Sequence, residues 1–172
     1  MATIAVLTLV GGVVAGRFSH LFGVAPILGA LLCGACFLRP RELFVVAFGG
    51  ILIKDLWIGL SPFTLVQLIG IGLVPGVLLT LNVRPSFRSL LTGLLVSSPL
   101  FHLTLAVGDW WTGTCAVLPK TSSGLLSSIV SSLPYFQRSF VGDTAFTALF
   151  LGLYALAATP LLGWKLQQIP SR

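Results

Sequence analysis

Charge is scarce in this chain: 8% of its 172 residues are Asp, Glu, Lys or Arg, and only four are acidic. A soluble domain carries roughly a quarter charged residues, so an aqueous surface is excluded. With 56% apolar residues and a mean hydropathy of +1.04, the composition is that of an integral membrane protein. No G-x-x-x-x-G-K-[ST] loop is present, which excludes ATP hydrolysis by this chain alone. No catalytic triad, zinc-protease helix or dinucleotide loop occurs either, so neither enzyme activity, catalytic residues nor a cofactor is expected. Two dispersed histidines offer no cluster for a metal. Cys33 and Cys36 form a C-x-x-C inside an apolar run without βαβ context, which reads as buried small residues, and Cys115 stands alone. The opening lacks a basic n-region and a cleavage pattern, so it is expected to remain on the protein.

What is present is a series of apolar runs. Residues 3–16, 24–38, 43–60, 63–81, 90–107 and 141–164 read as six spans. The expected fold is an all-α membrane protein, residues 1–172 forming a single transmembrane domain of about six transmembrane helices. The first two runs are short enough to be read alternatively as one re-entrant hairpin. Ten Lys and Arg punctuate the runs singly or in pairs, which reads as loop anchoring rather than nucleic-acid binding. Arg39, Arg41, Arg84, Arg88, Lys165 and Arg172 fall on one side of the bilayer, and Arg17, Lys54, Lys120 and Arg138 on the other. That bias puts both termini in the cytoplasm.

The connection before the last span holds the stretch "LPKTSSGLLSSIVSSLPYF". At helical periodicity Leu125, Leu126, Ile129, Val130 and Leu133 share an arc of about 140 degrees, opposite Ser127, Ser128, Ser131 and Ser132. This predicts an amphipathic helix capped by Thr121 or Ser122 and limited by Pro134. Its polar face has hydroxyls and no charge, unlike a helix made for anionic lipid. It fits either a helix dipping into a protein-lined cavity or an interfacial helix covering the bundle.

Polar and aromatic residues gather around this helix. Asp109, Trp110 and Trp111 precede it; Lys120 opens it; Tyr135, Phe136, Arg138 and Asp143 follow. Paired tryptophans anchor span ends at the interface, but aromatics beside a few polar groups also make a small-molecule pocket. His102 and Asp109 lie seven apart, on nearly one helical face, where they could pair or jointly line a cavity. A carboxylate such as Asp143 in a last span is costly unless paired. Arg138 and Lys120 are its candidate partners, with the local helix start as the structural alternative. Lys54 and Asp55 point about 100 degrees apart on a helix, so they need not pair with each other.

"LPKTSSGLLSSIVSSLPYFQRSFVGDTAFTALFLG" resembles a group of poorly characterised bacterial membrane proteins. In that group Pro-Lys-Thr, a small-residue helix, a Pro-aromatic-Phe turn and Gly-Asp precede the last helix. The upstream "GGILIKDLWIGLSPFTLVQLIGI" is also similar, although Ser61-Pro62 stands where the group tends to have His-Pro. The likeness runs from about residue 43 to 153. The group looks like the substrate-binding S components of energy-coupling factor (ECF) transporters, six-helix proteins of the bacterial inner membrane.

That resemblance implies capture of a small organic molecule such as a vitamin, entering from outside. The energy would come from a coupling transmembrane protein and two ATPases. It also implies a partner interface on the first helix, where Thr8, Gly12 and Gly16 recur every four residues; intrachain packing would use the same spacing. Gly72 and Gly76 repeat it beside Pro75. The expected ligand contacts are Asp109, Trp110, Trp111, Lys120, Tyr135, Phe136, Arg138, Asp143 and His102. The competing expectation is a non-catalytic structural or accessory subunit of a respiratory or photosynthetic complex. A channel is disfavoured because the spans offer no continuous hydrophilic path.

Overall fold

The computed structural model describes residues 27–114 and 117–158, with side chains to residue 152. The secondary structure among these residues is wholly helical: α1 (Ile27–Phe37), α2 (Pro40–Ile58), α3 (Pro62–Thr80), α4 (Phe87–Thr112) and α5 (Ser122–Ala158). Proline, serine and glycine punctuate the chain where the helices change. Pro40 and Pro62 stand at the first positions of α2 and α3, where a missing N–H costs nothing. The N–H of Ser61 donates to Thr64 Oγ1 at 3.2 Å, and Ser86 caps α4 by accepting from the Ser89 N–H. α4 stops at Gly113, which takes the left-handed φ of 66° and donates its N–H back to the Asp109 carbonyl. Thr121 caps α5, its hydroxyl accepting from the Gly124 N–H.

α1 is the hub. It has only 11 residues, is buried from Leu28 to Gly34, and packs against all four other helices. Leu28, Leu31 and Leu32 meet Leu43, Val46 and Ile51 of α2, Ile71, Val74 and Leu78 of α3, and Leu90, Leu94 and Phe101 of α4. Gly29 lets α1 and α5 touch by their backbones. A Cβ there would lie 3.0 Å from the Thr147 nitrogen and 3.0 Å from Phe146 Cβ. α5 packs on α4 and α1, and α2 and α3 close the bundle beside them. The outer surface stays apolar: Val45, Leu56, Leu65, Phe87 and Val141 are each more than half exposed. Contiguous exposed apolar side chains of this kind suit lipid rather than water.

Two described helices, α3 with 19 residues and α4 with 26, are long and apolar enough to cross a membrane. Six crossings are therefore not supported. α1 extends only about 16 Å, roughly half the hydrocarbon thickness. α2 carries Arg41, Glu42, Lys54 and Asp55, and α5 begins with a serine-rich stretch. The run 3–16 and the end of 141–164 lie outside the described residues.

A second correction concerns the amphipathic helix before the last span, which is not a separate element. Residues 122–133 are the first third of α5, a continuous 37-residue helix with Pro134 inside it. An interior proline removes one backbone hydrogen bond. Beside it, Ser131 Oγ and Ser132 Oγ donate to the carbonyls of Ser128 and Ile129, so backbone groups around the break are bonded by hydroxyls. Nor does the helix sort its serines and apolar residues onto opposite sides of the surface: Ser127 and Ser131 are exposed and Leu125 and Ile129 half-buried. Ser128 points inward and donates to the Ala106 carbonyl at 2.8 Å, while Leu126 and Val130 are exposed.

Candidate functional site

α4 and α5 run antiparallel, and their facing sides form a polar seam inside an apolar bundle. The α5 side contributes Ser128, Ser139, Asp143 and Thr147; the α4 side contributes Ser97 and Ser98. All are buried. Ser98 Oγ donates to Asp143 Oδ2 at 3.1 Å across the interface. The other carboxyl oxygen, Oδ1, is buried and has no hydrogen-bond partner among the described residues.

One turn further along α4 lies His102. Its ring meets those of Phe101 and Phe136 edge-on, each at 5.5 Å between centroids, and Phe136 in turn contacts Phe140. His102 Nε2 is likewise buried without a partner among the described residues. Below the carboxyl, Thr147 Oγ1 donates to the Asp143 carbonyl at 2.6 Å, and the free thiol of Cys33 points at the Thr147 carbonyl at 3.5 Å. α4 and α5 thus hold a carboxyl and, one turn along α4 from its serine partner, an imidazole, each with one polar atom unanswered among the described residues. Buried polar atoms are nearly always satisfied, so these two mark the strongest candidate site.

The nine expected ligand contacts do not converge on one pocket. His102, Phe136 and Asp143 belong to the seam. Trp110, Trp111 and Lys120 form a second group at the end of α4. There Lys120 Nζ donates to the carbonyls of Trp110 and Trp111, the latter at 2.8 Å, and sits 5.4 Å from the centroid of the Trp110 ring. Trp110 Nε1 returns a bond to the Pro119 carbonyl at 2.8 Å. A cation on the last carbonyls of a helix complements its dipole, so Lys120 closes α4. Asp109 is partly buried one turn before that end and supplies the carbonyl for Gly113.

Trp111 is exposed and borders an apolar groove of about 400 Å³ between α3 and α4, lined also by Val66, Ile69, Leu103 and Val107. Tyr135 and Arg138 are exposed on the outer side of α5. Asp143 accordingly pairs with neither Arg138 nor Lys120; its partner is Ser98. Thr8, Gly12 and Gly16 lie outside the described residues. Gly72 packs within the chain, a Cβ there falling 2.9 Å from Phe48.

Lys54 and Asp55 do pair, at 3.1 Å, and Lys54 also donates to Gln67 of α3. Their backbone directions diverge, but the four-carbon stem of lysine folds back far enough to reach both acceptors. Ser98, the hydrogen-bond partner of Asp143, is not among the expected site residues. Its signal was available: it stands four residues before His102, on the same helical face, in a Ser-Ser-Pro run within an apolar span.

The described residues therefore define a class: an all-helical fold with two helices long and apolar enough to cross a membrane and a buried polar seam between α4 and α5. The chain matches, over residues 1–166, the family of unknown function DUF6580, and it belongs to that family. No curated protein and no solved structure matches it.

Proposed function

We propose that the protein is a membrane-embedded capture subunit that binds a small organic molecule between α4 and α5 and passes it to separate, energy-supplying partners. The observation that carries this reading is the pair of unanswered buried atoms, Asp143 Oδ1 and His102 Nε2. Leaving such atoms unpaired costs about 1–3 kcal/mol each. A ligand that donates to the carboxyl and offers a polar group to the imidazole removes both costs, while Phe101 and Phe136 supply apolar contact. Residence in a bacterial inner membrane with both termini cytoplasmic completes the reading. The segment bearing Thr8, Gly12 and Gly16 then serves as the partner face.

The test is gentle purification from the native membrane, followed by mass spectrometry of the small molecules and proteins that accompany the chain. A small organic molecule should be retained, and lost from Asp143→Asn and His102→Ala variants that elute as the wild type does. The second reading is a non-catalytic accessory subunit of a larger membrane complex. It is favoured by the engagement of Lys120 and Trp110 with their own connection, which leaves less of the chain to hold a ligand. A ligand-free chain held stoichiometrically among subunits of an energy-converting complex would establish that alternative.

A further inference from the structure

Only three residues, 59–61, join α2 to α3, so these helices are antiparallel and the start of α2 lies at the same end as the finish of α3. Arg39 and Arg41, at the α1–α2 junction, therefore share one end of the bundle with Arg84 and Arg88, at the α3–α4 junction. All four are exposed. The chain has four acidic residues. Asp55 and Asp109 are near the opposite end and Asp143 is inside, so Glu42 is the acid of this end. It is already engaged, its Oε2 accepting from the Arg39 N–H at 2.9 Å.

Arg39, Pro40, Arg41 and Glu42 line a cleft of about 550 Å³. It sits at the N-terminus of the 19-residue α2, where no side-chain cap bonds the first-turn N–H groups of Arg41 and Glu42. The exposed side chains of Arg39 and Arg41 line this cleft, and two guanidinium forks there suit a tetrahedral oxyanion. The surroundings decide the source of that anion. One turn along α2 from Arg41 the bundle exposes Val45 at 67%, with Phe48 and Leu52 exposed on the same face further along. A free phosphate uses none of this apolar surface. A lipid uses both parts, its headgroup phosphate at Arg39 and Arg41 and its acyl chains along Val45, Phe48 and Leu52, which follow one another down one face of α2.

We propose that the Arg39–Arg41 cleft is a headgroup site for an anionic phospholipid. It requires a membrane but not the capture reading, since it lies at the end of the bundle and shares no residue with the α4–α5 seam. Basic pockets at the membrane surface of helical bundles recognise phosphate headgroups by this combination of charge and apolar flank.

The test uses the full-length chain purified in detergent and stripped of lipid, then titrated separately with phosphatidylglycerol, phosphatidylcholine and inorganic phosphate. Bound lipid is read by native mass spectrometry and thermal stability by unfolding. Phosphatidylglycerol should remain bound and raise Tm, with an apparent affinity about tenfold or more above that for phosphatidylcholine. Arg39→Gln/Arg41→Gln should lose that preference while keeping the Tm of the lipid-free protein. Arg39→Lys/Arg41→Lys should keep only part of it, because ammonium groups lack the bidentate fork. Equal retention of the two lipids would overturn the proposal, as would an undiminished preference in the glutamine variant. Stabilisation by inorganic phosphate equal to that by phosphatidylglycerol would overturn the lipid assignment.

Discussion

Ser98 and Asp143, 45 residues apart in sequence, are joined by a hydrogen bond of 3.1 Å at the centre of the α4–α5 interface. It is the one answered bond of the carboxyl, and it fixes the register of the two helices: Ser128 meets Ala106 above it, and His102 meets Phe136 between.

Removing the donor therefore tests the seam. Ser98→Ala leaves a second carboxyl oxygen unanswered and should lower stability by about 1 kcal/mol, since hydrogen bonds between membrane helices average somewhat below that and an orphaned group adds to it. The cycle of Ser98→Ala, Asp143→Asn and the double variant should give a coupling of roughly 0.5–1.5 kcal/mol by thermal or denaturant unfolding in detergent. Strict additivity would show that the bond does not hold the helices.

Gly29 and Gly76 should respond in opposite ways to the same methyl group. At Gly29 an added Cβ meets α5 backbone at 3.0 Å, so Gly29→Ala should force α1 from α5 and cost about 1–3 kcal/mol. At Gly76 nothing lies within 4 Å, and Gly76→Ala should be neutral or stabilise by up to about 1 kcal/mol through helix propensity. Equal melting temperatures for the two variants would contradict the close approach of α1 and α5.

Lys120 is expected to act on its own connection. Lys120→Gln removes the cation from the Trp110 and Trp111 carbonyls and should speed amide exchange in the last turn of α4 and the start of α5. Protection across α1 and α3 should stay unchanged. Loss of a bound ligand with unaltered local exchange would instead return Lys120 to the ligand-contact role that its position in the sequence suggests.

Trp57 at the end of α2 and Trp111 at the end of α4 lie at one end of the bundle, and both are exposed. In reconstituted vesicles their fluorescence should be quenched most by lipids brominated near the headgroup and least by those brominated near the chain ends, as for an interfacial belt. Stronger quenching from the chain ends would place that end of the bundle inside the hydrocarbon.

Local punctuation was readable and long-range pairing was not. The runs 43–60, 63–81 and 90–107 fall on α2, α3 and α4 because proline, serine and glycine interrupt the apolar pattern between them. Pro134 misled, since the rule that proline ends a helix assumes water and a free choice of backbone; here packing on α4 and neighbouring serine hydroxyls carry the helix past it. The number of crossings misled because apolarity marks burial in protein as well as in lipid, and α1 is buried in protein. Asp143 was recognisable as costly, but Ser98 as its partner required the α4–α5 register, which no spacing within either helix encodes. Arg138 and Lys120, nearer in sequence, looked better and are not used.

At about 55 Å, the unbroken α5 is nearly twice as long as a bilayer's hydrocarbon core is thick. An upright helix of that length carries roughly 25 Å beyond the hydrocarbon, so either α5 tilts steeply or its serine-rich start, Ser122 to Ser132, stands among the headgroups.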